Sequence, residues 1–226
     1  MNRLFAAAAV LLLPLLALPG TARAQTEQQA LVDRATLTVQ DMFSPANATD
    51  ARSLLHRAKG ALICPKIFKA GFIIGGQGGD CVLVARGANG WTPPAFYDIG
   101  SGSIGLQIGV QDSEVVFLVL TEHGLQALLN SQFKIGADAS IAVATIGAGV
   151  SGATTAALRA DIVSFAKTSG LFAGISFEGS LISARSGWNQ IYYGRPMAAQ
   201  QIVMQGEASN PGSAPLSETL ARYAGG

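Results

Sequence analysis

Charge is scarce in this sequence. Asp, Glu, Lys and Arg together make up 13% of the 226 residues, about half the usual share. With 49% apolar residues, that scarcity excludes a disordered chain, which needs low hydrophobicity and high net charge. A net charge of +1 excludes a general nucleic-acid binder, which carries a strong basic excess. There is no G-X-Y period and no run of heptads, so neither collagen nor coiled coil fits. Histidine and cysteine number two each. Two cysteines without a neighbouring histidine are a poor metal site. No H-E-x-x-H is present, and no serine has glycine at both i−2 and i+2, so zincin and nucleophile-elbow signatures are missing. His56 and His123 fall in helical patterns and read as surface groups rather than bases. Asp138, Asp161 and Glu178 are acids that could meet in space, but read equally well as salt bridges and exposed positions. The sequence therefore reads as a non-enzyme without a cofactor.

What is abundant is glycine, 27 residues of 226, well above the average of about 7%. The N-terminal segment from Met1 to Ala24 stands apart. Arg3 supplies a short positive start, Leu4 to Leu18 an apolar run, and Ala22-Arg23-Ala24 the small-x-small pattern that a signal peptidase accepts. The run is short for a membrane span, and Pro14 and Pro19 interrupt it. Cleavage after Ala24 is expected, leaving residues 25–226 as a single domain of an exported, periplasmic protein. Losing Arg3 and Arg23 turns the net charge from +1 to −1. No later apolar run is long enough to cross a bilayer, so no further helical span is expected. In an oxidising compartment Cys64 and Cys81 are candidates for a disulfide if a hairpin brings them together. The alternative is two free, buried thiols.

Apolar residues recur at helical spacing from Thr26 to Phe43, with Ala30, Leu31, Ala35, Val39 and Met42 on one face. A second helix is expected from about Thr49 to Lys59, with Leu54, Leu55 and Ala58 inward and Gly60 as its stop. From Ala61 the pattern changes to short apolar or alternating runs punctuated by glycine, with a turn at Ala88-Asn89-Gly90. The run SIGLQIGVQ reads as a strand. EVVFLVLT is apolar on both faces and reads as a central strand covered on both sides. Thr121 is the expected N-cap of a short helix reaching Leu129. Residues 162–167 and 171–184 read as a hairpin turning at Ser169-Gly170, and Leu216 to Tyr223 as a last helix. The expected class is α+β: N-terminal helices, then a curved or barrel-like, mainly antiparallel sheet with short helices. The in-strand glycines suit bulges and tight corners.

Two stretches match G-x-G-x-x-G. Gly100 to Gly105 precedes a strand pattern, so its context is wrong. Gly147 to Gly152 follows a strand-like run and precedes TTAALRA, as a dinucleotide fingerprint would. No acid is placed for the ribose, however, and too little chain follows Gly152 to complete a doubly wound domain. Dinucleotide binding is therefore not expected.

The clearest local charge feature lies between Asp50 and Asp80. The chain there contains no acid but includes Arg52, Arg57, Lys59, Lys66 and Lys69. Ile67, Phe68 and Phe72 are interleaved with them. On one face, such a set would attract anionic headgroups while its apolar side chains enter the interface. The plainer reading is a solvated helix face followed by a basic loop.

A family resemblance joins these blocks. Arg57-Ala-Lys-Gly-Ala-Leu-Ile-Cys-Pro-Lys66, Lys69-Ala-Gly-Phe-Ile-Ile-Gly-Gly76, Gly90-Trp-Thr-Pro-Pro-Ala-Phe-Tyr97, Ser103-Ile-Gly-Leu-Gln-Ile-Gly109, Lys134-Ile-Gly-Ala-Asp138, Ser169 to Ser180 and Tyr192-Tyr-Gly194 follow one another as in the SYLF domain. The resemblance covers roughly residues 30–195 and leaves 196–226 as a C-terminal extension. It implies lipid binding, since SYLF domains are associated with phosphoinositides and anionic membranes. Eukaryotic relatives pair the domain with SH3 or FYVE modules, and the yeast branch binds actin filaments. For an exported chain, phosphatidylglycerol or cardiolipin would replace the phosphoinositide. The basic positions carried over by the resemblance are Arg57, Lys59, Lys66 and Lys69, with Phe68 and Phe72 as apolar companions. Cys64 stands where an apolar residue is expected, which suits a Cys64–Cys81 bridge. The expected partners are anionic phospholipids at a membrane surface. A cell-envelope structural or protein-interaction module is the alternative, with its protein partner unknown.

Overall fold

The computed structural model describes residues 26–71, 74–104, 109–144, 159–170 and 177–225. Helix α1 spans Glu27–Phe43. The Gln29 amide donates to Thr26 Oγ1 at 3.3 Å, so Thr26 satisfies one of the free amides of the first turn. Leu31, Val32, Ala35, Val39, Met42 and Phe43 form its buried face. Helix α2, Thr49–Arg57, follows a single 3-10 turn at Ala46–Ala48 and buries Leu55 while leaving Leu54 half-buried.

Strands β1 (Gly60–Gly71), β2 (Ile74–Gly87), β3 (Gly90–Trp91), β4 (Ala95–Ile104) and β5 (Gly109–Val119) come next. Helix α3 (Glu122–Leu129), β6 (Gln132–Lys134), β7 (Ile141–Ala144), β8 (Ile162–Gly170) and β9 (Leu181–Ala184) follow. Helices α4 (Ser186–Tyr193), α5 (Ala199–Val203) and α6 (Ala214–Ala224) end the chain. The described strands form one strongly curled sheet in the order β6-β9-β4-β2-β1-β5-β8-β7, with β3 paired to β2. Every described strand-to-strand pairing is antiparallel except β7 with β8, which is parallel.

Both faces of the sheet centre are covered. Ala61, Ile63, Val82, Val84, Phe96, Val116 and Leu118 pack beneath α1, α2 and α6. Leu62, Leu83, Tyr97, Val115, Phe117 and Val119 face the other way, against α3, α5, Phe133 and Phe177. That is why EVVFLVLT is apolar on both faces: odd and even positions of β5 enter different clusters. Residues 197–224 contribute to both clusters, Ile202 and Val203 to one and Leu216 and Leu220 to the other. Cys64 and Cys81 are buried and joined by a disulfide between β1 and β2.

Four expectations need correction or restriction. Gly60 is not a helix stop: α2 ends at Arg57, and Gly60 is the first residue of β1. Glycine is required there because a Cβ would lie 2.9 Å from the Val84 carbonyl oxygen. The turn expected at Ser169-Gly170 is not there, because β8 runs through both residues, paired with Asp112 and Gln111 of β5; residues 171–176, which begin the expected second strand, lie outside the described residues. β9 pairs instead with β4 and β6. The run SIGLQIGVQ is divided between the end of β4 and the start of β5. The expected signal segment, Phe72, residues 105–108 between these strands, and the Gly147–Gly152 motif lie outside the described residues.

Candidate functional site

β1 is the spine of the candidate site, and it distributes the basic stretch rather than gathering it. Arg57 is exposed in the last turn of α2. Lys59 precedes β1 and pairs with Glu122 at 3.4 Å, at the start of α3. Lys66, Phe68 and Lys69 lie toward the other end of the strand, about 23 to 33 Å from Lys59 at about 3.3 Å per residue. Between the two groups the β1–β2 register shifts from Ile63 to Phe68. This bulge changes which residues share a face. Ile67 joins the core on the α3 side, while Lys66 and Phe68 line a cleft with Leu31 and Arg34 of α1. Lys69 is thereby turned to the face opposite Phe68 and is half-buried. Arg52 is taken up locally, its guanidinium donating to the Phe43 carbonyl at 2.8 Å. The structure thus brings Lys66 and Phe68 together, sets Lys69 behind them, and leaves Arg57 and Lys59 at the opposite end.

Residues that the sequence did not single out complete the Lys66 end. Phe68 is 46% exposed, Ile74 is 74% exposed and Val110 is 56% exposed. The register places Ala70 opposite both Gly76 and Val110, and Phe68 opposite Gly78. Phe68, Val110 and Ile74 therefore stand on one face, beyond the cover of α1. Arg34 reaches this area from α1 and lines three adjoining clefts, of about 400, 370 and 500 Å³. The acids there are largely answered: Lys66 pairs with Asp112 at 3.2 Å, Lys167 with Asp41 at 3.1 Å, and Arg185 with Asp80. The Arg185 guanidinium also stacks 3.7 Å over the Trp188 ring. Arg34 has no ion pair among the described residues. Strand alternation was the signal for Ile74 and Val110, whereas the position of Arg34 depends on how α1 docks.

The acids weighed for chemistry serve the fold. Asp161 accepts from Thr121 Oγ1 at 2.6 Å, Ser140 Oγ at 2.8 Å and Ser140 N at 3.0 Å. Burial works to raise its pKa, but these hydrogen bonds and one from His123 outweigh it and hold the carboxyl down at about 2. Asp138 accepts from the Lys134 amide at 2.6 Å, closing a turn. His56 Nδ1 lies 2.6 Å from the Ala224 carbonyl oxygen, so this nitrogen must carry the proton. Among the described residues no group of three or more His, Cys, Asp or Glu is placed to hold a metal ion, and no helix is long and apolar enough to cross a membrane.

The Ysc84 family model, described as Las17-binding protein actin regulator, matches residues 100–223, more than half of the chain. The chain belongs to this family, to which its SYLF blocks also point. It is 28% identical over 209 residues to Protein YSC84 of Saccharomyces cerevisiae, covering 90% of this chain and 44% of that one. It is 31% identical over 192 residues to SH3 domain-containing protein PJ696.02 of Schizosaccharomyces pombe, covering 83% and 43%. With SH3 domain-containing YSC84-like protein 1 of Homo sapiens it shares 26% over 199 residues, covering 87% and 57%. The chain thus spans about half the length of the curated relatives it matches.

Proposed function

We propose that this protein is an exported, non-catalytic lipid binder that docks on anionic phospholipid membranes through the Lys66–Phe68 end of β1. One observation carries the reading: exposed Phe68, Ile74 and Val110 share a face with the cations Lys66 and Arg34. An isolated exposed apolar side chain needs no explanation, but three at one sheet end beside the cations Lys66 and Arg34 suit an interface between water and acyl chains. Each cation near an anionic surface contributes about 1 kcal/mol, screened by salt. Arg57 and Lys59, at the other end of β1, are too far away to join the same contact. The interior of the curled sheet is filled by Tyr97, Phe117, Phe133 and Phe177, which favours docking on the surface over an enclosed lipid.

The test is charge reversal with an internal control. Lys66→Glu with Arg34→Glu should abolish co-sedimentation with phosphatidylglycerol-rich vesicles, while Arg57→Glu should leave it intact. Equal binding by all three proteins would refute the site. A second reading, a cell-envelope protein-interaction module, draws support from the family description, which names a protein partner for its members. Cross-linking that recovered protein partners from cells, combined with no vesicle binding, would favour it.

A further inference from the structure

On the face that carries α1, four glycines of β2 and β4 form a patch without side chains, between Asp80 and Asp98 at its inner end and Ile74 at its outer end. Gly78 lies opposite Gly100, and Gly76 opposite Gly102. Their side is fixed by neighbours of the same parity: Val82, Val84 and Phe96 pack under the helices, and Asp80 is held by Arg185. Glycine weakens a strand, so four together call for a reason. Crowding does not supply one. An added Cβ would meet nothing within 4 Å at Gly102, and its nearest atoms would be 3.9 Å away at Gly100, 3.5 Å at Gly78 and 3.6 Å at Gly76. Gly79, by contrast, would place a Cβ 2.1 Å from the Lys66 carbonyl oxygen. Backbone conformation supplies none either, because none of the four has a positive φ. A glycine patch of this kind is where something approaches the backbone closely.

The patch is walled. Phe68 of β1 pairs with Gly78, and Leu181 of β9 pairs with Gly100; the two side chains are 46% and 39% exposed. The walls stand three strand spacings apart, about 14 Å between backbones. From this row to the 74% exposed Ile74 the floor runs about 13 Å. Its inner end is polar: Asp80 faces Asp98 across the strands, and Arg34 and Lys66 share the cleft of about 370 Å³ with Phe68 and Gly78. Lys134 follows Leu181 in register on the far side. Gly76, Gly78 and Gly100 have paired strands on both sides and Gly102 has one on its β2 side, so an occupant lying on the floor should be narrow and apolar, with few hydrogen-bonding needs of its own. An alkyl chain meets those conditions, and a peptide or sugar does not.

We propose that this trough seats one acyl chain of an anionic membrane phospholipid, its phosphate held at the Arg34–Lys66 end. This rests on the docking reading and adds to it a discrete site for a single lipid. The experiment is to fill the floor with Gly76→Val together with Gly102→Val. Both positions have room, and valine favours strands, so thermal unfolding should match or exceed that of the parent protein. Dihexanoyl-phosphatidylglycerol, kept below its micelle concentration, is titrated by calorimetry in parallel with vesicle co-sedimentation. The parent protein should bind the monomeric lipid, and the double variant should lose at least tenfold in affinity. Leu181→Ser, at an exposed wall, should weaken binding independently should the double variant fold poorly. Equal binding of monomeric lipid by parent and variants would overturn the trough and leave the docking reading standing. Vesicle binding by a parent protein that ignores the monomeric lipid would do the same. No binding of either lipid form would overturn both readings. A shift from dimer to monomer in the double variant, with lipid binding unchanged, would make the floor a contact between two copies and overturn the lipid assignment.

Discussion

Replacing Asp161 by Asn should cost this protein stability that depends on pH in a defined way. The carboxylate joins three segments: Thr121 at the start of α3, Ser140 ahead of β7, and its own place at the start of β8. Its pKa in the fold is about 2, against 3.8 for the unperturbed group. Because the folded value is the lower one, the ionised form stabilises the native state. That contribution is complete above pH 4 and disappears as pH falls toward 2. At about 1.36 kcal/mol per pKa unit the shift corresponds to about 2 kcal/mol, and the partial exposure of the group reduces this to roughly 1–2 kcal/mol. For a chain of this length, Tm should fall by roughly 2–8 °C at pH 7. Urea unfolding of parent and Asp161→Asn proteins at pH 7, 4 and 2.5 measures the difference directly. It should be largest at pH 7 and shrink at the lowest pH. A difference that stays constant across that range would refute the electrostatic account and leave only lost packing.

Other consequences are simpler. Replacing Cys64 and Cys81 by Ala should lower stability by about 3 kcal/mol, the value for closing a loop of this length; an unchanged urea midpoint would contradict it. Gly79→Ala should be severely destabilising because its Cβ would collide with the Lys66 backbone, whereas Gly102→Ala has open space and should be neutral or stabilising. Comparable Tm losses for the two variants would show that the bulge adapts more freely than its geometry implies. Tyr97→Phe should cost about 1 kcal/mol, since the buried Leu128 carbonyl loses the hydroxyl that donates to it at 2.9 Å; thermal unfolding gives the value. Burial pushes the phenols of Tyr97, Tyr192 and Tyr193 well up. A spectrophotometric titration to pH 11 should therefore leave Tyr97, Tyr192 and Tyr193 protonated, and an absorbance change that includes them would contradict it.

Much of the architecture was legible in local pattern. Thr121 announces its helix because a cap needs a side-chain oxygen next to an apolar period, and α1 announces itself by that period alone. β5 announces its central place because both of its faces are apolar. That β8 runs on through Ser169 and Gly170 in its pairing with β5 was not legible. Partner choice among antiparallel strands depends on contacts far apart in the chain, and the Ser169-Gly170 turn signal was locally plausible. Gly60 misled for a similar reason, since its lack of a side chain answers Val84 on the neighbouring strand rather than the end of a helix. The site was legible only in composition. An acid-free basic stretch marks β1, yet the bulge between Ile63 and Phe68 decides which of its residues share a face. Arg34 and Leu181 reach the same surface through tertiary packing, which no spacing within the basic stretch encodes; Ile74 and Val110 follow strand alternation, but only the pairing of β1 with β2 and β5 brings them beside Phe68.

The measurement that bears most directly on the central claim is co-sedimentation of the purified protein with neutral and phosphatidylglycerol-rich vesicles at low and physiological salt. Surface docking by cations beside an apolar patch predicts binding to the anionic vesicles alone, weakened but not abolished by salt. Failure to bind either kind of vesicle at low salt would contradict the claim and move the protein-interaction reading to the front.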